Sequence, residues 1–247
     1  MLHVRDKNSV VREYSHPDVP IAVTFRRFRK GQSFRVGGPR RENVLTLLSG
    51  DLEAATPVEV RLQRRSVFED EPVALYIGAG QSVLFRATQN GELVVVGAPA
   101  KRKGPIRALA SCGERRGRPG YERWVHNLVT HEFPAERLLV GETLNEPGNW
   151  SSFPPHKHDR QSKVESKLQE VYFFKLAPED GFGFMRLYDD RRMDTALTIR
   201  NNDLVWIPRG YHPVAAMPGY RLYYLWALAG EGRELKWNTD PRYRWLL

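Results

Sequence analysis

A single cysteine, Cys112, in 247 residues excludes an internal disulfide, so this chain must be held by packing, and its cysteine usage fits a reducing cytoplasm. No stretch approaches the roughly 20 consecutive apolar residues of a membrane helix. The N-terminus, MLHVRDKNSV, lacks the apolar core of a secretion signal. A cytoplasmic location and no membrane partner are therefore expected. Nucleic-acid-binding motifs are also missing, although the formal net charge is +9. The basic residues fall in short clusters, Arg26 to Lys30, Arg40 with Arg41, Lys101 to Lys103 and Arg115 to Arg118, scattered through turns and broken by acids. They read as solvated loops, with a funnel for an anionic substrate as the alternative, and no nucleic-acid partner is expected.

What is present points to a globular chain. Apolar residues make up 41% of the sequence, with 6 Trp, 10 Tyr and 11 Phe. The length suits one large domain or two of roughly 100 to 120 residues. Short segments rich in Val, Leu, Phe and Tyr recur between Gly, Pro, Asn and Asp turns: Val44 to Leu48, Val58 to Leu62, Val73 to Ile77, Ser82 to Phe85 and Leu93 to Val96. The pattern resumes with Leu138 to Thr143, Glu170 to Leu176, Gly183 to Tyr188, Leu204 to Ile207 and Tyr220 to Ala227. Between them APAKRKGPIRALASCGERRGRPG, residues 98–120, shows little alternation and reads as a linker or long surface crossing. The expectation is an all-β protein of two sandwich or barrel units with few, short helices.

The halves echo each other. ENVLTLLSGDLEA, residues 42–54, reads as a strand, a Gly turn and a return strand. DEPVALYIGAGQSVLFRA shares its strand, turn, strand layout with IRNNDLVWIPRGYHPVAA, but only the second carries a histidine.

The histidines carry the chemistry. In NWSSFPPHKHD, an extended backbone projects His156 and His158 to one face, about 6 to 7 Å apart, with Lys157 opposite. Lys157 reaches substrate only if the two preceding prolines distort the strand. LQEVYFFK places Glu170 at the head of an aromatic strand, and WIPRGYHPVA sets His212 after a Pro-x-Gly turn. Taken singly, His212 reads as a turn residue and Glu170 as a strand-edge charge. Jointly, three imidazoles and a carboxylate form a borderline-soft ligand set for a divalent ion such as Zn, Mn, Fe, Co or Ni.

This arrangement resembles the cupin barrel, in which His-x-His and Glu come from one motif and the last His from a second. Here more residues separate His158 from Glu170 than in the general motif, and Asn202 stands where Gly is common. The longer strings GETLNEPGNWSSFPPHKHD, QEVYFFK, GFGFMRLYDD and NNDLVWIPRGYHPVAAMPGYRLYYLWALAG resemble the 5-deoxy-glucuronate isomerase family, the bicupin sugar isomerases of myo-inositol catabolism. The resemblance covers nearly the whole chain and is closest over residues 149–230.

It implies two tandem jelly-roll barrels, a degenerate N-terminal cupin over 1–110 and a metal-binding one over 111–247. It also implies one divalent ion, Zn or Mn first and Fe next, on His156, His158, Glu170 and His212, and conversion of 5-deoxy-D-glucuronate to 5-dehydro-2-deoxy-D-gluconate. A divalent ion suits that class because it stabilises a developing enediolate. The implied partner is a small sugar acid, together with a homo-oligomer suggested by exposed sheet edges.

For the substrate carboxylate, period two on GFGFMRLYDD aligns Phe184, Arg186 and Tyr188, making Arg186 the first candidate clamp, with an outward salt bridge as the alternative. Tyr223 and Tyr224 read equally as core or site. Glu170 or a metal-bound hydroxide is the remaining candidate for the general base. A metal-dependent cupin oxygenase and a non-catalytic sugar-acid-binding bicupin are the alternative functions.

Overall fold

Period-two patterning becomes strand almost throughout the computed structural model, which describes residues 3–5, 11–230 and 232–247. Among the described residues the only helix is the 3-10 segment Pro241–Leu246, and none is long and apolar enough to cross a membrane. The fold is an all-β bicupin.

The C-terminal barrel closes between two sheets. One has seven strands in the spatial order His3–Arg5, Asp203–Ile207, Leu168–Ala177, Arg221–Gly230, Leu139–Asn145, Arg123–Val129 and Glu114–Arg116. Facing it lies a four-stranded sheet of Trp150–Ser151, Val214–Ala216, Gly183–Tyr188 and Asp194–Ile199. A ribbon pairing His156–Lys157 with Asn238–Thr239 completes the wall. Phe174, Met185, Leu187, Ile199 and Leu222 fill one end of the interior.

The Leu168–Ala177 and Arg221–Gly230 strands are buried on both faces, which is why they read as near-continuous apolar runs. Val171, Phe173, Tyr223 and Leu225 pack against Val23, Phe25, Val44 and Val96 of the first barrel. The Phe25 and Phe173 rings stack at 5.3 Å. Each such side chain contributes roughly 1.5–3 kcal/mol when fully buried, so the seam is a shared core. The opposite rows, Tyr172, Phe174, Leu222 and Tyr224, face the second barrel's interior.

Ion pairs cross the seam, two of them short and at least partly buried. The Arg64 guanidinium makes a fork to both Glu142 oxygens at 2.8 Å, with both residues buried. Lys175 Nζ lies 2.8 Å from Glu92.

In the first barrel, Arg41–Thr56 is one continuous strand, not the strand, turn and return strand its glycine suggested. It pairs with Val73–Ile77 and Gly91–Pro99 before Gly50, and with Val60–Arg64 and Gln81–Ala87 from there on. Gly50, at φ +102°, marks the switch; a Cβ there would stand 2.6 Å from the Asn90 carbonyl. The barrel interior is packed with Phe28, Phe34, Leu45, Leu47, Leu52 and Phe85.

The 98–120 segment is not simply a linker. Ile106–Leu109 joins the first barrel beside Val73–Ile77, and Glu114–Arg116 edges the second beside Arg123–Val129. We propose the boundary between these two strands, in keeping with units of 1–110 and 111–247, with one correction: His3–Arg5 pairs with Asp203–Val205 and so lies in the second barrel's sheet.

Candidate metal centre

Glu170 begins the inward row of the Leu168–Ala177 strand, opposite Leu228 and Ile207 on its neighbours. His212 follows the turn at Gly210, whose φ of +88° and whose closeness to the Tyr188 carbonyl, 2.5 Å from an added Cβ, demand glycine. These elements bring one ligand atom each of His158, Glu170 and His212 within 4.8 Å of one another, all three residues buried. This is the single such cluster among the described residues.

The imidazole tautomers follow from their partners. His158 Nδ1 lies 2.9 Å from the Leu168 carbonyl and His212 Nδ1 lies 2.9 Å from the Gly210 carbonyl. A carbonyl only accepts, so each Nδ1 carries its proton and each Nε2 presents a lone pair. Those lone pairs converge on Glu170 Oε2, at 3.1 Å from His158 and 3.2 Å from His212. His212 Nε2 is buried and makes no hydrogen bond. Two imidazole nitrogens and a carboxylate converging on one point suit a cation between them, and backbone-anchored Nδ1–H groups are how ligand histidines are oriented. The residues present therefore fit a divalent ion.

Titration follows the same geometry. Burial pushes the Glu170 carboxyl up, but the His158 and His212 imidazoles outweigh it and hold it at about 2. A carboxylate held ionised in this way is suited to binding a cation. Burial pushes His158 down, but its hydrogen bond and charge contact with Glu170 leave it raised. In the absence of metal, a proton on His158 takes the cation's place.

His156 stands beside this group. Its ring centroid is 5.0 Å from that of His212 and 6.5 Å from that of His158, and its Nδ1 lies 3.3 Å from the Pro154 carbonyl. Burial, then the charges of His212 and His158, hold it at about 3, a neutral imidazole.

Above the cluster opens a cavity of about 540 Å³ whose wall includes His156, His158 and Glu170. That volume is in the range of small-ligand sites. Ser152, Tyr172 and Tyr224 supply hydroxyls beside the cluster: Ser152 Oγ is 2.8 Å from the Tyr172 hydroxyl, and the two tyrosine rings stack at 4.5 Å. Trp226, Leu228 and Trp237 make the wall partly apolar.

Three residues expected at the substrate lie elsewhere. Met185 and Leu187 take the barrel interior, so Arg186 faces outward, forked onto Asp194 at 2.8 and 2.7 Å. Tyr188 donates to Asp240 at 2.7 Å. Lys157 is buried opposite its histidine neighbours, with Nζ 2.9 Å from Asp159 and 3.4 Å from Glu165. None of the three lines the cavity. Of the tyrosine pair, Tyr224 lines it, while Tyr223 turns to the seam beside Arg64 and Glu142. Sequence reasoning missed Arg123, which does line it; the alternation of Arg123, Val125 and Asn127 in RWVHNLV was the available signal.

A profile of the KduI/IolB family matches residues 5–246. The 5-deoxy-glucuronate isomerase of Geobacillus kaustophilus HTA426 is 40% identical over 227 residues, covering 88% of this chain and 82% of that protein. Among solved structures, an IolB-like protein of Salmonella typhimurium LT2 matches with a TM-score of 0.92 at 30% identity, over 100% of this chain and 99% of its own. Bacillus subtilis oxalate decarboxylase, described for its Mn(II) centers, shares the fold at a TM-score of 0.61 and 10% identity, over 90% of this chain and 71% of that one.

Proposed function

Because the chain belongs to the KduI/IolB family, we propose that it is a 5-deoxy-glucuronate isomerase, converting 5-deoxy-D-glucuronate to 5-dehydro-2-deoxy-D-gluconate in myo-inositol catabolism. The observation that carries this reading is the convergence of His158, His212 and Glu170 under a cavity of sugar size. We assign these three as ligands of one divalent ion, with His156 as the fourth. Zn, Mn and Fe all accept this set of nitrogen and oxygen donors, and metal availability selects among them.

The ion, when bound, supplies a Lewis acid for the negative charge that develops on the carbonyl and adjacent hydroxyl oxygens of an open-chain aldose. The chain's own groups do the rest. The Leu168 and Gly210 carbonyls keep the two Nε2 atoms aimed inward. The hydroxyls of Ser152, Tyr172 and Tyr224 offer hydrogen bonds to sugar hydroxyls beside the cluster. Trp226 and Leu228, cross-strand neighbours of Tyr172 and Glu170, limit water on the same wall.

The test incubates purified, metal-loaded protein with 5-deoxy-D-glucuronate, following ketose formation and dissolved oxygen. Ketose accumulating without oxygen uptake is the expected result. Oxygen consumption would instead identify a cupin oxygenase, and binding without any product a sugar-acid-binding bicupin.

A further inference from the structure

Three arginines line the cavity, and they differ in what neutralises them. Arg116 forms an ion pair with Glu114 at 2.5 Å. Arg118 donates to the backbone oxygen of Leu247 at 3.0 Å. Arg123 has a neutral acceptor, the Tyr121 carbonyl, 3.1 Å from its Nη1, and no ion pair with a carboxylate is found for it among the described residues. Glu170 is the only acidic residue in the cavity wall, and its Oε2 is committed to His158 and His212.

Arg123 is also placed to face a ligand. Its strand, Arg123–Val129, sends Arg123, Val125 and Asn127 into the cavity and Trp124 and His126 to the other face. It is partly buried, and desolvation lowers its pKa. A guanidinium nonetheless remains charged at any working pH. A cation taken partly out of water without a countercharge is costly, and such a group in a cavity is a signature of an anionic ligand.

One cavity thus holds the imidazole–carboxylate cluster, the guanidinium of Arg123 and the hydroxyls of Ser152, Tyr172 and Tyr224. The Tyr172 ring stands 5.9 Å from that of His212 and 4.5 Å from that of Tyr224, and both tyrosines line the same cavity as Arg123. An extended six-carbon chain spans roughly 6 Å, given carbon–carbon bonds of about 1.5 Å. A molecule of that size fits within the cavity of about 540 Å³ that the cluster and the guanidinium share.

We propose that Arg123 receives the carboxylate of the substrate, fixing which end of the sugar acid faces the metal ligands and selecting uronic acids over neutral aldoses. This deepens the isomerase reading and rests on it for the identity of the substrate, though the carboxylate subsite itself does not. A planar fork matched to a carboxylate makes lysine an incomplete replacement.

The experiment compares wild type, Arg123→Met and Arg123→Lys in two ways, with metal content and melting temperature as folding controls. Turnover is measured on 5-deoxy-D-glucuronate and on its neutral counterpart, 5-deoxy-D-glucose. Binding of D-glucuronate and of D-glucose is measured by calorimetry. Arg123→Met should reduce the preference for acid over neutral sugar about 100-fold, mainly through KM, as expected for removing one member of a desolvated charge pair. Arg123→Lys should fall between, and D-glucuronate binding should weaken in the same order. An unchanged acid preference, or D-glucuronate binding that Arg123→Met leaves intact, overturns the proposal. A wild type that binds D-glucuronate through Arg123 but isomerises neither sugar overturns the isomerase reading and leaves the carboxylate site standing.

Discussion

Asp159 accepts a hydrogen bond from the backbone N–H of Gly210 at 2.8 Å through one carboxylate oxygen, while its other oxygen takes Lys157 Nζ at 2.9 Å. The segment carrying His158 is thereby tied to the turn carrying His212, across 51 residues of sequence. Glu165 completes the clasp, accepting the backbone N–H groups of Asp159 and Arg160 at 2.8 and 3.0 Å. Lys157 is therefore an internal strut.

Lys157→Met leaves two buried or nearly buried carboxylates facing each other without their cation. A loss of about 3–5 kcal/mol in unfolding free energy is expected, the usual result of breaking a buried pair from one side. Because the clasp orients two ligand-bearing segments, metal affinity should also fall about 10- to 100-fold. Urea denaturation and metal titration on the same variant check both.

His212→Ala removes a proposed ligand whose ring is wholly buried, and His156→Ala removes the proposed fourth ligand, which stands outside the tight cluster. The first should abolish stoichiometric metal binding. The second should weaken it without abolishing it, since the other three donors remain. Circular dichroism of both should remain that of a β protein, since the core of the barrel lies at its other end, around Met185, Ile199 and Leu222. Unfolding of His212→Ala would mark the metal as structural.

In metal-free protein, pH acts on stability with opposite signs at two groups. Glu170, held at about 2, contributes stability that is present above its ordinary carboxylate range and is lost as pH falls toward 2. His158, raised, contributes stability that is complete below its ordinary value and is lost as pH climbs through the raised one. A third group, His156, is held neutral at about 3 and loses stability as pH falls below its ordinary range, so the chelated protein should be most resistant to urea near the ordinary histidine value of about 6.5. Metal binding must displace the His158 proton, so affinity should rise with pH and calorimetry in two buffers should detect proton release.

The Arg64–Glu142 fork joins the barrels inside a shared core. Glu142→Gln leaves the guanidinium buried without its counterion and should cost about 3–5 kcal/mol, whereas Arg64→Met combined with Glu142→Leu should recover much of that loss. A double-mutant cycle in denaturant measures the coupling.

The parts of this architecture that sequence revealed are those governed by local period. His158, Glu170 and His212 are placed by two-residue alternation and by a Pro-x-Gly turn whose glycine must adopt positive φ, so their convergence could be read from spacing. Lys157 opposite its neighbours follows from the same period, but its partners Asp159 and Glu165 lie in an irregular loop that no periodicity describes. Gly50 looked like a turn because glycine usually marks one; that it lets a single strand change partners depends on Asn90 and Gly91, distant in sequence. For Arg186 the sequence left a cavity-facing clamp and an outward salt bridge open, because Phe184 and Tyr188 make its row look like an aromatic interior; Met185 and Leu187 are the ones that pack, and the salt bridge to Asp194 is present. Arg123 was hidden by its place just after a glycine- and arginine-rich stretch that reads as loop.

The most direct measurement is turnover of 5-deoxy-D-glucuronate by chelated protein during stepwise return of Mn or Zn. Ketose formation should rise from near zero and reach its plateau at one ion per chain, with His212→Ala remaining inactive at every concentration. Undiminished turnover by the fully chelated protein, or metal-restored turnover by His212→Ala, would contradict the account.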